Sequence, residues 1–317
     1  MRKILLISRD PGGSNQLVAL YDQLLADSKN PDNPEIIVIA KDYAKAIWQQ
    51  NGITAQAWPD GITEADLAGF LAAYQADQII TGTGHMDDRT EQMVWRIARQ
   101  LGIPTTAFLD SSHNIAVRFK DRQGKIFLPD FVSVIDDDAI PALLALGLVR
   151  QNIIVSGDLY ANYVSKRRAG QNQSGLLHAE WGVKAGESLI LFASDYIREM
   201  QALGMTFDVT EFDCLEHLMA LLQSSDDLAH GLTNDLTGPY RLVIRPHPKD
   251  TPGKYDGYLK QSTPNMTIVI SSSGASLDAV MASDMVASMG SSLLNEARLL
   301  GVAALELGPL LKAHKDG

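Results

Sequence analysis

A chain of 317 residues, 45% of them apolar, has the material for two packed cores, and no apolar run approaches the roughly 20 residues of a membrane span. The formal net charge is −11 and both halves carry more carboxylates than cations, which excludes the basic surface that nucleic-acid backbones require. One cysteine, Cys214, excludes an intrachain disulfide and a Cys-cluster metal site; no metal is expected.

The apolar run after Met1-Arg2-Lys3 stops at Ser8, too early for a signal peptide, so the cytoplasm is the expected compartment. Lys3 to Ser8 reads as a buried strand. A turn at Asp10-Pro11-Gly12-Gly13 follows it, then a helix through about Leu25. Strands at Ile36 to Ala40, Gln78 to Thr81, Thr105 to Leu109 and Phe131 to Ile135 alternate with helices at Ala44 to Gln50, Glu91 to Leu101 and Ile140 to Leu146. This spacing predicts right-handed βαβ units and a mostly parallel sheet. After a short strand at Asn152 to Val155, the basic and poorly periodic stretch Lys166 to Gly175 reads as a linker or loop. A second series starts at Leu189 to Ala193. Thr210 is placed to cap a helix whose Phe212, Leu215, Leu218, Met219 and Leu222 share a face. Strands at Arg241 to Arg245, Thr267 to Ile270, Met285 to Ser288 and Ala303 to Leu307 complete the series. The expected architecture is α/β, two Rossmann-like doubly wound domains facing a cleft, at residues 1–165 and 166–317.

Ligands of such sheets bind beyond the carboxyl ends of the strands, so the strand exits are the places to read. At the first exit, Gly12, Gly13 and Ser14 combine close backbone approach with a helix N-terminus. A plain turn capped by Ser14 or Asn15 accounts for them equally well, and neither a dinucleotide fingerprint nor a P-loop is present. Arg245-Pro246-His247-Pro248-Lys249 brings cations straight off an apolar strand, where Arg245 and His247 suit a diphosphate. The alternative is an Arg245 ion pair and a turn-capping His247. Ser271, Ser272 and Ser273 leave another strand, and Ser291 and Ser292 precede a helix with Glu296 one turn on. Serine N-caps and a glutamate facing the helix dipole explain the same pattern without a ligand. In the first half, His85 and Asp110 also sit at strand exits and are candidate bases. Three consecutive carboxylates, Asp136 to Asp138, read as a solvated helix start, since they cannot all face one ion.

Taken together, these segments resemble the GT-B superfamily of nucleotide-sugar enzymes. Within it they are similar to the UDP-N-acetylglucosamine 2-epimerases and the CDP-glycerol glycerophosphotransferase-like proteins of bacterial surface-polymer synthesis. The resemblance is carried by the glycine turn, Leu109-Asp110-Ser111, Val155-Ser156-Gly157-Asp158, Arg245-Pro246-His247-Pro248, and Ser291-Ser292 with Glu296-Ala297 and Leu300-Gly301. It departs where Ser292 and Leu293 replace glycines of the epimerase pattern. It departs again where the chain stops soon after Leu307, ahead of the last strand and crossing-back helix, so either a reduced C-terminal domain or a truncated chain is expected. The resemblance implies a transferase that moves a sugar or polyol phosphate from a UDP- or CDP-type donor to an acceptor in cell-envelope polysaccharide or glycolipid synthesis. The donor would lie on the C-terminal domain and the acceptor on the N-terminal one. Nucleotide-sugar epimerisation or hydrolysis, and nucleotide binding without catalysis, are the alternatives. No tightly bound cofactor is implied, and a homodimer is compatible.

Overall fold

The computed structural model describes residues 2–26, 33–84, 88–167, 174–202, 204–224, 236 and 238–315. The chain divides into two compact units, Met1–Tyr163 and Val164–Gly317. Each unit is built on its own parallel sheet.

The first unit runs β1 Lys3–Ser8, α1 Pro11–Leu25, β2 Glu35–Ala40, α2 Tyr43–Gln50, β3 Gln56–Ala57, α3 Glu64–Ala73, β4 Gln78–Thr81 and α4 Thr90–Leu101. It continues with β5 Thr105–Phe108, α5 Ile115–Phe119, β6 Phe131–Val134, α6 Ile140–Ala145 and β7 Ile153–Val155, and α7 Leu159–Arg167 leads out of it. Sheet order is β3-β2-β1-β4-β5-β6-β7, every pair parallel. The central β1 shows why both faces need helices. Its Leu5 and Ile7 pack with Leu67 and Leu71 of α3 and Val94 of α4, while Ile4 and Leu6 pack with Leu17 of α1 and Trp48 of α2. Alternate residues of a strand point to opposite faces, so a continuous apolar run calls for two covering layers.

The second unit runs α8 Ser174–Glu180, β8 Ser188–Ala193, α9 Ile197–Ala202, α10 Glu211–Gln223, β9 Tyr240–Arg245, β10 Met266–Ile270, α11 Ser276–Met281, β11 Met285–Ser288, α12 Leu293–Leu300, β12 Ala303–Glu306 and α13 Leu307–Lys315. Its order is β10-β9-β8-β11-β12, again all parallel. Thr210 closes a capping box with Asp213 at the start of α10. Leu215, Leu218, Met219 and Leu222 of that helix then lie against Ile190, Phe192, Leu242 and Ile244 of the sheet.

Three expectations are corrected. The glycine turn is already helix: α1 starts at Pro11, in the first helical position, with Asp10 as N-cap, so Ser14 lies inside the helix instead of capping it. The outer residues of the Lys166–Gly175 stretch are helical, in α7 and α8, and residues 168–173 fall outside the description. Leu307 opens α13 instead of ending a strand. β3 and α3 are not among the predicted elements. Asp136 to Asp138 form the expected helix start, where the Asp136 carboxylate accepts the Asp138 N–H. Among the described residues no helix is long and apolar enough to cross a membrane.

Candidate functional site

In both sheets the strand order reverses beside the strand that comes first in the chain, at β1/β4 and at β8/β11. The carboxyl ends of those pairs are the topological switch points of doubly wound sheets.

At the first switch point α1 and the loop after β4 meet backbone to backbone. A Cβ on Gly13 would stand 2.9 Å from the Gly82 Cα, so neither position has room for a side chain. Gly12 gives its space to Asp110: a Cβ there would overlap the Asp110 carboxylate, which therefore lies against the first turn of α1. A carboxylate is favoured at a helix N-terminus, the place the sequence offers to an anion. Asp110 is ion-paired with Arg118, whose guanidinium also donates to Thr83 Oγ1 at 2.7 Å. Ser14 is buried, and its hydroxyl donates to the Asp10 carbonyl at 2.8 Å and lies 3.0 Å from the Ser8 hydroxyl. It is a packing group. His85 falls outside the described residues.

A charge cluster that the sequence does not announce surrounds this edge. Asp88 Oδ2 lies 2.5 Å from Lys41 Nζ and 3.2 Å from Arg9 Nε, and Asp88 Oδ1 accepts the Thr90 N–H at the start of α4. Burial would raise its pKa, but the bonds from Lys41 and Thr90 and the charge of Arg9 hold it below the ordinary carboxylate range. Glu91, one residue on, behaves in the opposite way. It is 2% exposed, and burial, reinforced by the charges of Asp10 and Asp88, pushes its pKa up to about 8 against the pull of its own backbone N–H and Arg9. Glu91 therefore holds its proton at neutral pH. Its sequence signal is positional: Glu91 leads the stripe Val94, Trp95 and Ala98, the buried face of α4.

In the second unit the exits of β8, β9, β10 and β11 are tied to one another. Asp195, after β8, accepts from Ser288 Oγ at 3.0 Å and from Gly290 N–H at 3.3 Å, which joins the β8 and β11 exits. Ser291 continues that loop: its N–H donates to Ser288 Oγ, and its hydroxyl accepts the Leu293 N–H at 3.4 Å. Ser292 is the N-cap residue by position, but its side chain makes no capping bond. Arg245 is buried and donates to the carbonyls of Ser273 (2.8 Å) and Gly274 (2.9 Å), so it braces the β10 exit. The negative charges that act on it are those of Glu296, 4% exposed, and Asp278. Ser271 is also buried, donating to Glu180 and accepting the Ser273 N–H, whereas Ser272 is exposed.

His247 stands at the β9 exit with its ring stacked on Tyr196, centroids 4.5 Å apart. Its Nδ1 accepts the Lys249 N–H at 3.1 Å, so the proton of the neutral ring sits on Nε2. Burial, then the charges of Lys249 and Lys254, pull its pKa down to about 4 against Glu199, and the ring is neutral at physiological pH. Beside it Lys254 Nζ is held by Asp250 (2.7 Å), Glu199 (2.8 Å) and Glu211. These three carboxylates lie close enough together to hold a metal ion, and the ammonium of Lys254 bonds to all of them.

No known protein-family profile matches the chain, and no curated protein sequence matches it. Solved structures do. UDP-GlcNAc 2-epimerase from Neisseria meningitidis bound to UDP-GlcNAc shares 13% identity over 96% of this chain and 82% of its own, with a TM-score of 0.62. The UDP-GlcNAc 2-epimerase from Methanocaldococcus jannaschii shares 12% over 95% and 82%, with a TM-score of 0.64. Anabaena Alr3699/HepE in complex with UDP and glucose shares 12% over 98% and 83%, with a TM-score of 0.53. The chain thus has the GT-B-like fold of the UDP-GlcNAc 2-epimerases, as the motif resemblance implies.

Proposed function

We propose that this protein binds a nucleoside diphosphate sugar of the UDP type and epimerises or hydrolyses it, in preference to passing the sugar to a separate acceptor. The observation that carries this reading is the extent of the fold likeness: both units, over 95–96% of the chain, follow 2-epimerases, one of them bound to UDP-GlcNAc. The second unit takes the diphosphate. Its donors are the Nε2–H of His247 and the hydroxyl groups of Ser291 and Ser292 at the start of α12. Arg245, committed to loop carbonyls, shapes this edge. Asp110 is the candidate base and Glu91, protonated at neutral pH, the candidate acid, with His85 as a further candidate.

Incubation with UDP-GlcNAc and NMR of the sugar products decides among the reactions. A UDP-sugar inverted at one carbon supports epimerisation, and free sugar with UDP supports hydrolysis. Consumption only after an acceptor is added restores the transferase reading. If none of UDP, CDP, GDP and TDP raises the melting temperature, the nucleotide reading itself falls.

His247→Ala tests the diphosphate site. Loss of a hydrogen bond to a charged group costs roughly 1.5–3 kcal/mol, or about ten- to a hundredfold in UDP affinity. Melting should move little, since the half-buried ring fills no core position. Equal affinities by calorimetric titration would remove His247 from the site.

A further inference from the structure

We infer that Asp250 is a positioning residue: it locks the turn after β9 so that the Nε2–H of His247 is the donor this turn presents. The inference rests on the reading of His247 as a phosphate ligand. In Pro246-His247-Pro248-Lys249-Asp250 the two prolines have no N–H, which leaves three. Each is used inside the turn. His247 N–H donates to Asp250 Oδ2 at 2.7 Å, Lys249 N–H to His247 Nδ1 at 3.1 Å, and Asp250 N–H to the His247 carbonyl at 2.8 Å. The segment therefore cannot cradle a phosphate with its backbone. What it offers in place of amides is a ring whose tautomer is set by Lys249 N–H and whose face is fixed on Tyr196.

Asp250 is the hub of this arrangement. Its side chain is 2% exposed. Oδ2 accepts from Ser194 Oγ (2.9 Å) as well as from His247 N–H, and Oδ1 accepts from Lys254. Ser194 leaves β8 and Lys254 is held by Glu199 and Glu211, at α9 and α10. One carboxylate thus references the His247 turn to the β8 exit and to two helices. The charged groups around the ring are Lys249, Lys254, Glu199 and Asp250. A neutral ring held as a donor keeps its bond to a phosphate unchanged across physiological pH, where a free histidine would titrate.

The test is nitrogen NMR on full-length, histidine-labelled protein, with the His247 signal assigned by its loss in His247→Ala. The wild type should show a single Nε2–H tautomer from pH 5.5 to 8. An Nδ1–H tautomer, or ordinary titration near pH 6.5, overturns the proposal without any variant having to fold. Asp250→Ala should scramble the tautomers and weaken UDP about tenfold, toward the value of His247→Ala. Asp250→Asn keeps an oxygen acceptor for the His247 N–H and should restore both. A merely structural Asp250 would lower the melting temperature and leave the tautomer of the folded protein intact, and that outcome also overturns the inference. If the tautomer scrambles while UDP affinity holds, Nε2 does not touch the phosphate and the positioning role falls. If wild type binds no nucleotide, the functional reading fails separately, and the tautomer data still decide whether Asp250 sets the ring.

Discussion

Lys254→Met is expected to destabilise the second unit by about 3–5 kcal/mol, because it strands carboxylates that have no route to water. Asp250 and Glu211 are 2% and 0% exposed at their side chains, and Lys254 itself is 6% exposed. Methionine keeps the stem that lies beside the Phe212 and Tyr255 rings, so the substitution removes charge with little loss of packing. In a calorimetric scan the transition of this unit should fall by on the order of 10 °C. The pH dependence separates the cause. Burial would lower the pKa of Lys254, but its bonds to Asp250, Glu199 and Glu211 outweigh that and raise it above the usual lysine range. The native contribution is therefore complete at neutral pH and fades only above about pH 10.4, as the pKa of the folded state is approached. In the variant the defect should shrink in acid, where protonation neutralises the stranded carboxylates. A defect of constant size from pH 4 to 8 would assign the loss to packing.

Glu91→Gln should act in the other direction. A folded-state pKa of about 8 means that the native chain holds a proton which the unfolded chain, near 4.3, releases at neutral pH. Stability from this group is thus present below about pH 4.3 and drains away as pH rises toward 8. Linkage puts the loss at about 3–4 kcal/mol at pH 7. Glutamine carries no ionisable proton, so the first unit should melt on the order of 10 °C higher at pH 7 and show almost no gain at pH 4. Melting curves over that range decide it: a gain independent of pH would mean that glutamine merely packs better. If Glu91 is the acid of the reaction, the same variant loses turnover while gaining stability, the usual cost of a strained site.

Much of the architecture was legible because apolar runs mark buried strands. β1, β4 and β11 lie where their runs predict, and the other predicted strands lie within a residue or two. The exceptions have physical reasons. Gln56–Ala57 is a two-residue exposed strand with no apolar face to advertise it, and α3 buries only Leu67 and Leu71 along a chain of mostly small residues. Gly12 and Gly13 suggest a turn by propensity, yet they lie in the first turn of α1, where Asp110 and Gly82 leave no room for a side chain. At the candidate site, His247 and the serines could be found from the rule of strand exits. Asp195, Asp88 and the carboxylates around Lys254 could not. Their meaning lies in contacts across long stretches of chain, such as Lys41 with Asp88 or Lys254 with Glu199, and no spacing in a single sequence encodes these.

The lone thiol has a practical consequence. Cys214 is fully buried on α10 within the core of the second unit, and burial, with the charges of Asp195, Asp213 and Glu211, pushes its pKa up to about 12. Only the thiolate reacts with alkylating reagents, so the native molecule is in effect free of nucleophilic sulfur. A cysteine introduced anywhere on the surface could then carry a fluorophore or spin label in the wild-type background. The slow alkylation of Cys214 itself would count the moments when the second unit opens, a clock already built into the chain.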